Sequence, residues 1–325
     1  MYDVVVCGSA VTDVYVKTHC DTIVVQGKKQ IMYPLGSKII IENKQVMTGG
    51  GGTNISTCLA RLGLKTAFMG CIGKDREGDV ILDFLKQERI RFIGQRVAKE
   101  QTGYSIILDS QLDDRTLLTF KGANNSLSFR KIHLPKTKWV YSSSLIGTAF
   151  ETLKSIAVLA KRNGYHFAFN PSSYQAKMGV KKLKKLLSLT DLLIFNKEEA
   201  QLLTGRPKAS EIVLARLILP YLHPDATLII TDGKHGALLY DGRQCLKTIP
   251  PKCKVIETTG AGDAFASTFL AAKILGHDNV FALKAAMENA KSVITHYGAK
   301  NILLDRRTLF SRVKKTKTKV FAVKK

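Results

Sequence analysis

A chain of 325 residues, 45% of them apolar, is long enough to bury a sizeable core, as about two domains or one large α/β domain. No apolar run approaches the ~20 residues needed to cross a bilayer, which argues against a helical membrane protein and makes a soluble, cytoplasmic chain the expectation. Fifty Lys and Arg against 26 Asp and Glu leave a net charge of +24, a balance that favours anionic partners such as nucleotides, phosphosugars or nucleic acid.

Much of that charge gathers in KKLKKLL (Lys181 to Leu187) and in RVKKTKTKVFAVKK (Arg312 to Lys325), without the aromatic interleaving of a base-stacking surface. A solvated face and a mobile tail are the simpler reading, and nucleic acid is not the expected partner. The six cysteines include no C-x-x-C pair and read as reduced thiols, three of them (Cys7, Cys58 and Cys71) inside apolar segments. The seven histidines contain no H-E-x-x-H or His/Cys cluster, so zinc has no support.

In chain order, MYDVVVCGSA lacks the basic n-region of a signal peptide and reads as a buried strand. Residues 14–47 have little helical period and look like extended hairpin material. TGGGGTNISTCLARLG (Thr48 to Gly63) then runs four glycines into Thr53, Asn54 and an amphipathic helix. So bare a loop lets backbone amides approach a polyhydroxylated ligand, and Asn54 offers it both donor and acceptor; a flexible loop with an N-cap is the alternative. GCIGKD, around Lys74, lacks the spacing and the Ser/Thr of a P-loop, and no G-x-G-x-x-G follows the first strand. A second extended stretch covers residues 101–120. From KWVYSS onward, HFAFN, DLLIFN and TLIITDG alternate with helical patterns, which predicts a mostly parallel sheet covered by helices, with ligands beyond the strands' carboxyl ends. Asp13, Ser142 to Ser144, Asn170, Asn196 and Asp232 all follow such runs. No linker divides the chain, so one main domain is expected, with the two extended segments as a lid.

TTGAGDAF (Thr258 to Phe265) leads into DAFASTFLAAKIL, whose apolar residues Phe265, Phe269, Leu270, Ile274 and Leu275 mark one helix face. Gly260, Ala261 and Gly262 therefore sit at a helix start, where unpaired amides and the dipole suit an anion such as phosphate. A carboxylate there repels the anion unless it has a task. Asp263 is suited to taking a proton from a hydroxyl that attacks phosphorus, although on these residues alone an N-cap is the simpler account.

Together GGGGTN near residue 50 and ETTGAGDAF near residue 260 make the chain resemble the PfkB, or ribokinase-like, family of carbohydrate and nucleoside kinases, over nearly its whole length. The resemblance implies a three-layer α/β/α sandwich with a small β-sheet lid. Its kinase domain would span residues 1–315, with lid segments near 14–47 and 101–120, ahead of a basic tail at 316–325. It implies ATP and Mg2+ as cofactors and a sugar or nucleoside as partner, and it leaves a homodimer through the lid open. By the same resemblance Asp263 is the catalytic base and Gly260, Ala261 and Gly262 the anion hole. Asp13, Gly50, Gly51 and Asn54 contact the substrate. Asn196 and Glu199, in FNKEEA, organise magnesium and phosphate; Thr231, Gly233 and Gly236, in TDGKHG, form the nucleotide loop; Asn289 lines the adenine pocket.

The chain also departs from that pattern. Glu257 stands where the family carries an aspartate of a monovalent-cation site, which leaves potassium activation open. Ser142, Ser143 and Ser144 occupy the place of an acidic sugar contact, which weakens ribose as the substrate. Arg115 and Lys121 would suit a phosphosugar, whereas Tyr104 and Phe120 would suit a nucleoside base. The expected activity is transfer of the γ-phosphoryl group of ATP to a primary hydroxyl of a sugar. A nucleoside or phosphosugar kinase is the nearest alternative, and a sugar sensor or nucleic-acid binder on a kinase fold is remote.

Overall fold

The computed structural model describes residues 1–109 and 115–323. Its centre is a ten-stranded sheet, in the spatial order Lys319–Ala322, Cys245–Ile249, Ala237–Tyr240, Thr227–Thr231, Leu192–Asn196, His166–Phe169, Thr137–Ser142, Tyr2–Cys7, Thr66–Met69 and Arg91–Phe92. The last seven of these run parallel and the first three pair antiparallel. Strands buried on both faces read as continuous apolar runs. In the first strand, Val5 and Cys7 enter one core while Val4 and Val6 enter the other, the two-residue alternation of a pleated strand.

Helices cover both faces. Thr148–Arg162, Gly179–Leu187, Lys197–Thr204 and Glu211–Ile218 supply the core containing Val5, through residues such as Leu153, Leu186, Leu203 and Leu214. Gly51–Arg61, Ala261–Ile274, Asn279–Ile294 and Arg306–Lys315 pack on the opposite face through Leu59, Phe269, Leu283 and Leu309. The result is a three-layer α/β/α sandwich. Among the described residues no helix is long and apolar enough to cross a membrane.

A second, four-stranded sheet is ordered Arg115–Phe120, Gly103–Asp109, Val11–Thr18 and Ile41–Gly49. Its strands begin before and end after the segment 14–47, at Val11 and Gly49, so Asp13 is a residue of this sheet, opposite Met47 and Ser105. A separate hairpin joins Asp21–Val25 to Lys28–Met32. Part of the segment 101–120, residues 110–114, lies outside the described residues.

The basic tail departs from its expected mobility. Lys319–Ala322 forms the outermost strand of the large sheet, with Leu246 opposite Ala322 and Ile249 opposite Lys319. Thr318 and Val320 turn inward while Lys319 and Phe321 face solvent, an alternation hidden in a run of charge. Lysine on an exposed edge strand discourages pairing with another chain.

Candidate active site

The site begins where the glycine loop meets the second sheet. A Cβ on Gly49 would lie 1.8 Å from Asp13 Oδ2, so only glycine lets that carboxylate sit against the loop. Gly50, at φ 93°, is the N-cap of the helix Gly51–Arg61. Thr53 donates its hydroxyl to the Gly49 carbonyl at 2.6 Å, which ties the loop to the helix. The four glycines are therefore closely packed: Gly49 ends a strand, Gly50 caps the helix, and Gly51 and Gly52 open it.

Across the cleft, Gly260 starts the helix Ala261–Ile274 in the left-handed region at φ 78°. Its Cβ would meet Ala299 Cβ at 2.4 Å and Ala299 Cα at 2.7 Å. Since Gly260 is the N-cap, Asp263 lies inside the first turn and does not cap the helix. Its Oδ2 instead accepts a hydrogen bond from Asn54 Nδ2 at 2.8 Å, across 209 positions of sequence. The Ala261 amide donates to the Thr258 carbonyl at 3.2 Å. A Cβ on Gly262 would meet nothing within 4 Å, so its α-carbon faces open space.

Burial pushes the Asp263 carboxyl up to about 6, against the downward pull of the Asn54 hydrogen bond and the Lys300 charge. A cavity of about 250 Å³ in front of it is lined by Gly51, Ser143, Asn196, Glu199, Thr231, Gly262 and Asp263, among others. These residues lie at or just beyond strand and helix ends, as the parallel topology demands. Among the described residues, the buried side-chain atoms without a hydrogen-bond partner include Asn54 Oδ1 and Ser143 Oγ at this site. Leaving such an atom unpaired costs about 1–3 kcal/mol, so they mark places where a polar ligand would be welcome.

Asn196 caps the helix Lys197–Thr204 in a reciprocal box with Glu199: the Glu199 amide donates to Asn196 Oδ1 at 2.8 Å, and the Asn196 amide to Glu199 Oε2 at 3.0 Å. Burial, together with the charges of Glu198 and Asp263, lifts Glu199 to about 7 although the Asn196 amide pulls it down. A carboxylate so short of positive charge suits a cation. Thr231 ends its strand beside them and donates to the Phe195 carbonyl at 3.4 Å. Gly233, at φ 48°, opens the turn Gly233–His235, and Gly236 closes it at φ 90°.

Other expected residues lie elsewhere. Asn289 is fully buried; its amide donates to Thr268 Oγ1 at 2.7 Å and Cys58 Sγ at 3.3 Å, and its oxygen accepts from the Leu304 amide at 3.0 Å. With both ends used, it is a core tether and does not reach the cavity. Glu257, buried, accepts from the Gly298 amide at 2.7 Å and so joins the loop before Gly260 to the loop carrying Ala299. Tyr104 is half-buried opposite the half-exposed Phe120. Lys121 is half-buried with Nζ 6.0 Å from the centroid of the Tyr174 ring, and burial lowers its pKa. The Arg115 side chain lies outside the described residues.

One residue near the site gave no signal in the sequence. Lys300 is buried and donates from Nζ to Thr53 Oγ1 at 3.1 Å. It stands in the turn YGAKN, where no periodicity or spacing singles it out.

Comparison with known proteins bears on the family and the fold. The pfkB family carbohydrate kinase model matches residues 2–306. A ribokinase of Haemophilus influenzae is 28% identical over 272 residues, which cover 82% of this chain and 87% of that protein. The structure of Arabidopsis thaliana ribokinase complexed with ribose and ATP superposes with a TM-score of 0.79 at 22% identity, covering 96% of this chain and 99% of that one. The nucleoside kinase of Methanocaldococcus jannaschii, an archaeal member of the ribokinase family, does so with 0.78 at 20% identity, covering 96% and 98%. With a match over most of its length and a ribokinase fold, the chain belongs to the pfkB family of carbohydrate kinases, ATP-dependent phosphotransferases with an alcohol group as acceptor.

Proposed function

We propose that this chain transfers the γ-phosphoryl group of ATP to a primary hydroxyl of a sugar, with Asp263 as general base. The observation that carries this reading is the convergence of Asp263, held by Asn54, with Glu199 and Thr231 on one cavity. Asp13, Gly50, Gly51 and Asn54 take the acceptor, and the unpaired Asn54 Oδ1 offers an acceptor for a sugar hydroxyl. Asn196, Thr231, Gly233 and Gly236 take the nucleotide. Gly260, Ala261 and Gly262 form the anion hole, with Gly262 the freest to meet a phosphate, because the Ala261 amide already donates to Thr258.

The acceptor hydroxyl hydrogen-bonds to the Asp263 carboxylate and gives it its proton as the new O–P bond forms. The bond from the γ-phosphorus to the bridging oxygen breaks, and ADP leaves. Magnesium, when bound, offsets phosphate charge. Glu199 and Asn196 would hold it through water, since one carboxylate and one amide do not make a protein cage. A monovalent cation beside Glu257 would act on the start of the same helix, through the loop that Glu257 secures.

A nucleoside acceptor is the second reading, favoured by the half-buried Tyr104 on the strand beside Asp13. ADP release from ATP and magnesium across ribose, fructose, deoxyribose, hexose phosphates and the common nucleosides decides between the classes. One acceptor class should stimulate turnover, and a flat panel would remove the kinase reading. Because Asp263 must be ionised to act, kcat/KM for the acceptor should fall about tenfold per pH unit below about 6. Asn54→Ala removes a hydrogen bond to the charged form and should move that limb to higher pH; a stationary limb would mean that another group sets it.

A further inference from the structure

A second cavity, of about 410 Å³, has Asp13, Tyr15, Phe84, Arg61 and Lys300 in its wall. Lys300 is the unusual member. It arises from a turn, not from a helix or strand, and is 7% exposed. Its ammonium lies 4.8 Å from the centroid of the Phe84 ring, and its carbonyl accepts from Arg61 Nη1 at 2.7 Å. A buried lysine whose stem merely fills space would be replaced without loss by methionine. Here the ammonium is itself engaged, donating to Thr53 Oγ1 at 3.1 Å, and Thr53 in turn donates to the Gly49 carbonyl.

The surrounding charges are unevenly placed. Asp13 from the second sheet, Asp263 from the helix Ala261–Ile274 and Glu88 at the end of the helix Arg76–Gln87 all act on Lys300 as opposite charges, and Arg61 acts as a like one. Arg61 is itself paired with Glu88, Nε to Oε2 at 3.0 Å. Asp13 shares the cavity wall with Lys300, and the charges of both Asp13 and Asp263 act on its ammonium. A buried carboxylate stays ionised more readily with a fixed positive charge nearby, and Lys300 supplies one to Asp263.

We propose that Lys300 is a positioning residue of the acceptor site, a fixed ammonium that orders the glycine loop through Thr53 and keeps Asp13 and Asp263 charged together. The proposal rests on the assignment of Asp263 as base and of Asp13 as acceptor contact. Burial draws Lys300 down to about 7, against the pull of Asp13, Asp263 and Glu88. The ammonium is therefore lost as pH rises through neutrality. Asp263 also accepts from Asn54, and its charge acts on Glu199, Tyr141 and Cys58; none of these supplies a second cation.

The test follows the 13Cγ resonance of Asp263, identified by its loss in Asp263→Asn, through a pH titration of the full chain. In Lys300→Met the midpoint should rise by about one pH unit or more, whereas Lys300→Arg, which keeps the charge, should stay near wild type. Kinetically, Lys300→Met should raise the acceptor KM about tenfold and leave the KM for ATP unchanged, and Lys300→Arg should lose the wild-type fall in kcat/KM above neutrality. An unchanged Asp263 midpoint in Lys300→Met overturns the proposal. If that variant does not fold, the 13Cε signal of Lys300, identified by its absence in Lys300→Arg, is titrated in wild type and Asp13→Asn. A lower Lys300 midpoint in Asp13→Asn supports the coupling, and an equal one overturns it. The resonances titrate whether or not the protein turns over, so failure of the kinase reading, seen as a flat acceptor panel, and failure of the base assignment, seen as an Asp263→Asn variant with full activity, are both distinguishable from failure of the Lys300 assignment.

Discussion

Asp263→Asn is expected to lower kcat by about 10²–10⁴-fold while leaving acceptor and ATP binding within a few-fold of wild type. The substitution is nearly isosteric, and the new side-chain oxygen can still accept the 2.8 Å hydrogen bond from Asn54, so the geometry of the loop survives. What is lost is a place for the acceptor proton. Isothermal titration with the acceptor, set beside steady-state ADP release, separates the two effects. Unchanged turnover would transfer the base to another group, and lost binding would make Asp263 a substrate contact.

Gly260→Ala should be the next most damaging change. The position requires φ 78°, and the added Cβ would stand 2.4 Å from Ala299 Cβ and 2.7 Å from its Cα. Rotation of a side chain cannot relieve that contact. The opposing loop is fixed by the Glu257 bond to the Gly298 amide and by the Lys300 bond to Thr53, so the helix start must give way instead. Misplacing one preorganised donor costs about 3 kcal/mol, roughly 100-fold in kcat, with a further cost of about 1–3 kcal/mol in folding from backbone strain. Thermal melting reads the second number and kcat in the folded fraction reads the first. Wild-type turnover in Gly260→Ala would show that the amides at this helix start do not stabilise the transferring group.

The main sheet was readable because its parallel strands are buried on both faces, which turns each into an apolar run such as Val4 to Cys7. The glycine turns at Gly49 and Gly260 were readable for a related reason: close backbone approach admits no other residue, so the constraint appears in the sequence itself. Functional assignments that depend on distant partners were less accessible. Whether Asp263 caps its helix or faces the cleft was open until Gly260 proved to be the cap and Asn54 the partner. Asn289 sits in a late helix where a pocket residue is plausible by pattern, yet its partners Cys58, Thr268 and Leu304 are scattered along the chain and close around it in the core. The strand Lys319–Ala322 was masked by lysines whose edge position makes them compatible with pairing. Lys300 carries no pattern at all, because its environment is assembled from three helices, the second sheet and its own turn.

The central claim is that a hydroxyl of a small acceptor receives the γ-phosphoryl group with the help of Asp263. Mass spectrometry of the acceptor after incubation with ATP carrying 18O on its γ-phosphate tests this most directly. The account predicts an acceptor bearing the labelled phosphoryl group with the wild-type chain and about 100-fold less or lower with Asp263→Asn. Label appearing only in free phosphate, or equally in both proteins, would contradict it.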